Sequence, residues 1–139
     1  MPRVLGLDLG SRRIGVAVSD GSGTIASPHT VLERGTDRAA DHAALATLVA
    51  DLGVERVIVG LPLSLDGTMG PAARSAAEEA AALGDVLPVP VETYDERLTT
   101  VTADRSLSSL GLRGQARRRV VDKVAAAVIL QAWLDRSSL

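Results

Sequence analysis

The chain of 139 residues has no cysteine and no phenylalanine, and only one tryptophan, one tyrosine and two histidines. Without cysteine there is no disulfide, no thiolate nucleophile and no thiolate-bound zinc, and a cytoplasmic protein is the plain expectation. Two rings, Tyr94 and Trp133, cannot build a platform for stacked bases. Recognition of nucleic acid would then work through phosphate and shape. No apolar run approaches the roughly twenty residues of a membrane span, and the N-terminus lacks the charged-then-apolar layout of a signal peptide. Lysine is nearly missing, since fourteen of the 15 basic residues are arginine. The arginine fork can grip phosphate with two prongs, although GC-rich coding DNA would also enrich arginine and alanine.

What is present suffices for one core. Apolar residues make up 46% of the chain and charged residues 23%, so a single globular domain over 1–139 is expected. The net charge of -2 hides a split: residues 1–110 hold nine basic and fifteen acidic side chains, and residues 111–139 hold six basic and two acidic. A basic tail on an acidic body hints at contact with a polyanion.

Residues 3–9 (RVLGLDL) and 13–19 (RIGVAVS) read as strands joined by a tight Gly10-Ser11-Arg12 turn. A weaker extended run over 24–32 completes a three-strand meander. Ala40, Ala44, Leu45, Leu48, Val49 and Leu52 then recur at helical spacing, capped by Thr36 or Asp37 and ended by Gly53. The strand 54–61 follows, with a near-continuous apolar run typical of a strand covered on both faces. An alanine-rich helix opens at Gly70-Pro71 and runs to about residue 83. A strand over 88–94, a helix over 99–110 and a last helix over 115–134 complete the order βββαβαβαα. The fold class expected is α/β: a five-stranded mixed sheet with helices on both faces.

Three acids sit where the pattern does not call for charge. Asp8 lies inside the first strand, sharing a face with Val4 and Gly6. Glu96, in the Tyr94-Asp95-Glu96-Arg97 run, lies at a strand end, where ligands of open α/β sheets bind. Asp122 falls at the edge of a helical stripe formed by Val121, Val124, Ala125, Val128, Ile129 and Ala132. Each acid has a structural reading of its own: a turn-bonding carboxylate, a solvated loop ion pair and a first-turn helix acid. Together they fit a sharper one, convergence at one end of the sheet, where close carboxylates need a cation to stay ionised. Oxygen-only donors favour Mg²⁺ or Mn²⁺ over zinc. Two such ions about 4 Å apart would suit phosphodiester hydrolysis. His29 and His42 read as structural or exposed.

Four segments resemble one family in order: GLDLGSRRIGVAVSD (6–20), VGLPLSLDGTMG (59–70), DERLTT (95–100) and VDKVAAAVILQAWLD (121–135). They are similar to the YqgF/RuvX family, described as Holliday junction resolvases and as pre-16S rRNA nucleases. The resemblance implies a ribonuclease H-like fold. It also implies a metal-dependent nuclease in which Asp8, Glu96 and Asp122 are catalytic ligands of Mg²⁺ or Mn²⁺; strand alternation does not choose between Asp95 and Glu96. Arg113, Arg117, Arg118 and Arg119 resemble the family's basic segment and would meet the phosphate backbone, with Arg12, Arg13 and Arg97 as further phosphate contacts. Asp66-Gly67-Thr68 offers either backbone donors to phosphate or a plain turn, and the turn is preferred. The basic segment is often lysine-rich in the family but arginine-rich here, and no fourth acid has a clear counterpart, so a second metal would be held weakly.

The leading expectation is a divalent-metal nuclease on structured nucleic acid, processing the 5′ end of pre-16S rRNA in ribosome biogenesis. A Holliday junction resolvase for branched DNA is the alternative, and a non-catalytic ribosome assembly factor the second. Resolution of a junction needs two active sites, so monomer and homodimer are both open. DLGS (8–11) also resembles the first phosphate loop of actin-like ATPases, but that site needs two lobes and this length supplies one.

Overall fold

The computed structural model describes residues 3–97 and 114–137, and for residues 114–120 and 137 the backbone alone. Strands β1 (Arg3–Leu9), β2 (Arg13–Ser19) and β3 (Ala26–Glu33) form the expected antiparallel meander. Helix α1 (Arg38–Leu52) leads to β4 (Val54–Leu61), and α2 (Pro71–Val86) to β5 (Val91–Asp95). Both later strands run parallel to β1, giving one mixed sheet in the order β3-β2-β1-β4-β5. Helix α3 (Gly114–Ser137) closes the described chain. The helix expected over 99–110 lies outside the described residues.

Local chemistry accounts for the element ends. Asp37 caps α1 by accepting from the Ala40 N–H at 2.8 Å, and Gly53 ends it in the left-handed region at φ 65°. Pro71 opens α2 at its first turn. The third strand starts at Ala26, not residue 24, because the Asp20 carboxylate takes the Thr24 and Ile25 N–H groups into a turn. Pro28 is tolerated because β3 is an edge strand.

Alternation along the strands sends two sets of side chains to two cores. Leu5, Leu7, Val16, Val57 and Val59 pack under α1 and α2, with Leu45, Val49 and Leu83. Val4, Ala17 and Ile58 face α3, against Ala126, Ile129, Leu130 and Leu134. The inward face of α3 therefore differs from the expected one. Val121, Val124, Ala125, Val128 and Ala132 are only half-buried, while the stripe through Asp122, Ala126, Ile129 and Leu130 meets the sheet. Nearly every residue from 120 to 134 is apolar or small, so periodicity there cannot fix the rotation of the helix. Among the described residues no helix is long and apolar enough to cross a membrane.

Candidate active site

Strands β1, β4 and β5 are parallel and end side by side at Leu9, Leu61 and Asp95. Three sequence features bring charge to that edge. Asp8 is the penultimate residue of β1 and stands opposite Gly15 of β2. Glu96 follows the last residue of β5, its N–H donating to the Leu61 carbonyl at 3.3 Å. Asp122 arrives on α3.

Glycines set how closely α3 approaches. A Cβ built on Gly15 would collide with the backbone carbonyl of Asp122. One on Gly6 would stand 2.8 Å from Leu130 Cβ, and one on Gly60 would collide with Glu96 Oε2 and come within 2.5 Å of Ile129 Cδ1. Gly6, Gly15 and Gly60 sit on three neighbouring strands and make a furrow for the helix. Any side chain there would push Asp122 away from Asp8, or Glu96 off β4. This furrow escaped the sequence reading, although glycine facing α3 on each of β1, β2 and β4 was its available signal.

The acids act on one another. Burial, and then the negative charge of Asp122, push Asp8 up to about 6. Glu96 is pushed up to about 7 by burial first, then by Asp8 and Asp95. Asp8 thus couples to both other candidates, and the three residues named from sequence do come together. Asp95 is different. Hydrogen bonds from the Arg97 side chain and backbone hold it below the usual carboxylate range, with Arg97 Nη2 2.6 Å from Asp95 Oδ2. Tyr94 belongs to the core under α3, and Trp133 Nε1 donates to Glu92 Oε1 at 2.6 Å. Alternation from Glu92 and Tyr94 then carries Glu96 to the α3 face and Asp95 away from it.

The arginines divide. Arg12 is exposed in the turn after β1. Arg13 is half-buried and its Nε donates to Asp122 Oδ2 at 2.7 Å, so it holds one oxygen of a candidate ligand. Arg97 is engaged by Asp95 and also reaches the Leu65 carbonyl at 3.4 Å. Arg113 and the side chains of Arg117, Arg118 and Arg119 lie outside the described residues. Asp66-Gly67-Thr68 is a turn: Asp66 Oδ1 accepts from the Thr68 N–H and hydroxyl, and the Gly67 N–H donates to the Ser64 carbonyl. His29 is exposed and His42 is buried at a distance from these acids, beside Glu79.

Among the described residues no group of three His, Cys, Asp or Glu side chains is already gathered as a metal cage. The donor chemistry nonetheless fits a hard divalent cation. Two half-buried carboxylates, Asp8 raised by burial and by Asp122, and Glu96 raised by burial and by Asp8, are oxygen donors whose repulsion a cation would relieve.

Residues 2–136 match the family model RuvX, described as Holliday junction resolvase. The chain is 49% identical over 133 residues to a protein of Myxococcus xanthus, covering 96% of this chain and 87% of that one. It is 44% identical over 138 residues to a protein of Syntrophomonas wolfei, covering 99% and 96%. Both are provisionally named pre-16S rRNA nuclease. Among solved structures it is similar to Thermus thermophilus RuvC in complex with Holliday junction substrate, with a TM-score of 0.63, 16% identity, and 99% and 97% of the two chains covered. That likeness bears on the fold, and it agrees with a ribonuclease H-like sheet.

Proposed function

The chain belongs to the RuvX family, and from that premise we propose that it hydrolyses phosphodiester bonds of structured nucleic acid with a divalent cation held by Asp8, Glu96 and Asp122. The observation that carries this reading is the convergence of three acids from β1, the end of β5 and α3, two of them raised by burial and by the charge of the others. Such an arrangement costs the fold stability unless a cation offsets the repulsion. The relatives that share 44% and 49% of its residues, both named for pre-16S rRNA, favour that RNA as the substrate.

The chemistry that Mg²⁺ or Mn²⁺ supplies in such a site is activation of water near neutral pH and stabilisation of charge on the leaving oxygen. Asp8 and Glu96 contribute the negative field that draws the cation. Arg13 orients Asp122 by holding Oδ2 at 2.7 Å, and Asp122 so oriented would help to hold the cation. Arg12, exposed in the turn beyond Asp8, is placed to meet a phosphate, and the basic residues Arg117 to Arg119 add to that charge.

The test is cleavage by the purified protein of a precursor-rRNA end, a four-way DNA junction and a plain duplex, with Mg²⁺, with Mn²⁺ and with EDTA. Cleavage of the precursor end that needs the metal and falls at least ~1,000-fold in D8N and in E96Q is expected, equivalent to about 4 kcal/mol of transition-state stabilisation. Cleavage that survives both substitutions overturns the assignment. Preference for the four-way junction transfers the substrate to branched DNA. Tight protection of precursor RNA without cleavage would make the protein an assembly factor.

A further inference from the structure

On the opposite face of the sheet lies a second buried charged cluster, which the proposed chemistry does not use. Glu79 of α2 is 2% exposed, on the same inward face as Ala76, Ala80 and Leu83. Arg34 grips its carboxylate with two prongs, Nη1 to Oε2 at 2.8 Å and Nη2 to Oε1 at 2.7 Å. His42 Nε2 lies 2.9 Å from Oε2 and Arg38 Nε 4.0 Å from it. Burial alone would raise this acid, but the hydrogen bonds from Arg34 and His42 hold it below the usual range.

Arg34 Nη1 also lies 3.3 Å from Oδ2 of buried Asp41, whose Oδ1 accepts from the Gly35 N–H at 2.7 Å, and the remaining donors of Arg34 point elsewhere. Its Nε donates to the Gly10 carbonyl at 2.8 Å, and its backbone N–H to the Arg12 carbonyl at 2.9 Å. Both acceptors belong to the turn that follows Asp8 and Leu9. The Gly10 N–H donates back to the carbonyls of Asp8, at 3.2 Å, and Arg13, at 3.0 Å. The guanidinium is therefore fixed by Glu79 at one end and holds the turn at the other. No apolar pair could reproduce this, because a buried ion pair adds little stability over well-packed apolar side chains but fixes direction. Lysine, a point charge, cannot bond Glu79 through two prongs and reach Gly10 as well.

We propose that Arg34, clamped by Glu79 and Asp41, is a positioning residue that sets the turn of residues 10–12, and so places Arg12 at the substrate phosphate and Arg13 on Asp122. The part that concerns phosphate rests on the nuclease reading above; the part that concerns the turn does not.

The experiment compares the wild-type protein with R34M/E79Q, which removes the ion pairs of Arg34 with Glu79 and Asp41, leaves a neutral amide to bond His42 and leaves Asp41 its bond from the Gly35 N–H, and with R34K. Amide hydrogen exchange is followed at residues 10–13 and, as reference, along β4. Binding of precursor RNA and of the four-way junction is measured against salt on the D8N background, and KM and kcat on the active one. In R34M/E79Q, turn amides exchange at least ~10-fold faster while β4 is unchanged. KM rises about tenfold, the slope of log affinity against log salt falls by about one, and kcat falls by roughly three- to tenfold as Arg13 loosens on Asp122. R34K moves the same way by less, and carries the test should the double variant fail to fold. Turn exchange at the wild-type rate overturns the proposal, as does faster exchange with KM and salt slope untouched. A merely structural cluster would give that second result once stability is matched. If the wild-type protein cleaves nothing, the nuclease reading fails, while exchange and the salt slope still decide the role of Arg34.

Discussion

Glu79 and Asp8 are carboxylates packed against opposite faces of the same sheet, Glu79 among the residues under α1 and α2 and Asp8 under α3. Desolvation pushes both towards the neutral acid, and the outcomes are opposite. Glu79 is met by Arg34, Arg38 and His42 and stays well ionised. Asp8 is met by Asp122 and by Glu96, and is raised to about 6. Burial by itself thus does not distinguish a structural acid from a functional one; the sign of its neighbours does. Where the fold supplies cations the carboxylate ties elements together, and where it supplies more acids their repulsion is one that a cation from solution would relieve.

Breaking each cluster should separate them further. The largest change is expected at Glu79. E79A removes the two-pronged partner of half-buried Arg34, leaving it only Asp41 at 3.3 Å, and should cost about 3 kcal/mol by denaturant unfolding; a loss below about 1 kcal/mol would contradict the comparison. G15A comes next. Its methyl group collides with the α3 backbone at Asp122, and overpacking should cost about 2 kcal/mol and lower cleavage with it.

The third is a gain, and its sign follows from linkage. The folded-state pKa of Asp8 lies near 6, above the value of about 4 for an unfolded aspartate, so the unfolded chain ionises first as pH rises. Glu96, raised to about 7, should cost the metal-free protein stability up to about pH 7, and Asp8 should cost it stability between about pH 4 and 6. D8N removes that loss and should be about 2 kcal/mol more stable than wild type at pH 8 in EDTA, the two converging below pH 4. Saturating Mg²⁺ should stabilise the wild type and not D8N. Glu79, with its lowered pKa, contributes in the other direction: its stabilisation is present above the ordinary glutamate pKa and disappears as pH falls through the lower folded value. The smallest change is R12A, which touches neither cluster. It should leave stability within about 0.5 kcal/mol and reduce the salt slope of nucleic-acid binding by about one.

Much of the site was legible because strand chemistry is unforgiving. An acid inside a strand covered on both faces is out of pattern, and Asp8 was visible for that reason. Helices hide more. Glu79 lies on the same inward side as Ala73, Ala76 and Ala80, but alanine suits a buried face and an exposed one equally, so no stripe marked this acid as buried. The same ambiguity along 120–134 put Asp122 at the edge of its helix face, whereas the furrow of Gly6, Gly15 and Gly60 turns it inward. Asp95 and Glu96 are adjacent acids, and their separation into an Arg97 partner and a neighbour of Asp8 depends on which side of β5 meets α3.

Local periodicity, turn residues and motifs close in the chain were enough for the order of the described elements, the mixed sheet and the family, and for naming three acids as candidates. They were not enough for the rotation of α3, for Glu96 over Asp95 at the site, or for the bond from Arg34 on one face to the turn beside Asp8. Those depend on side chains tens of residues apart meeting across a sheet. Only packing sets such distances, and charge responds to distance.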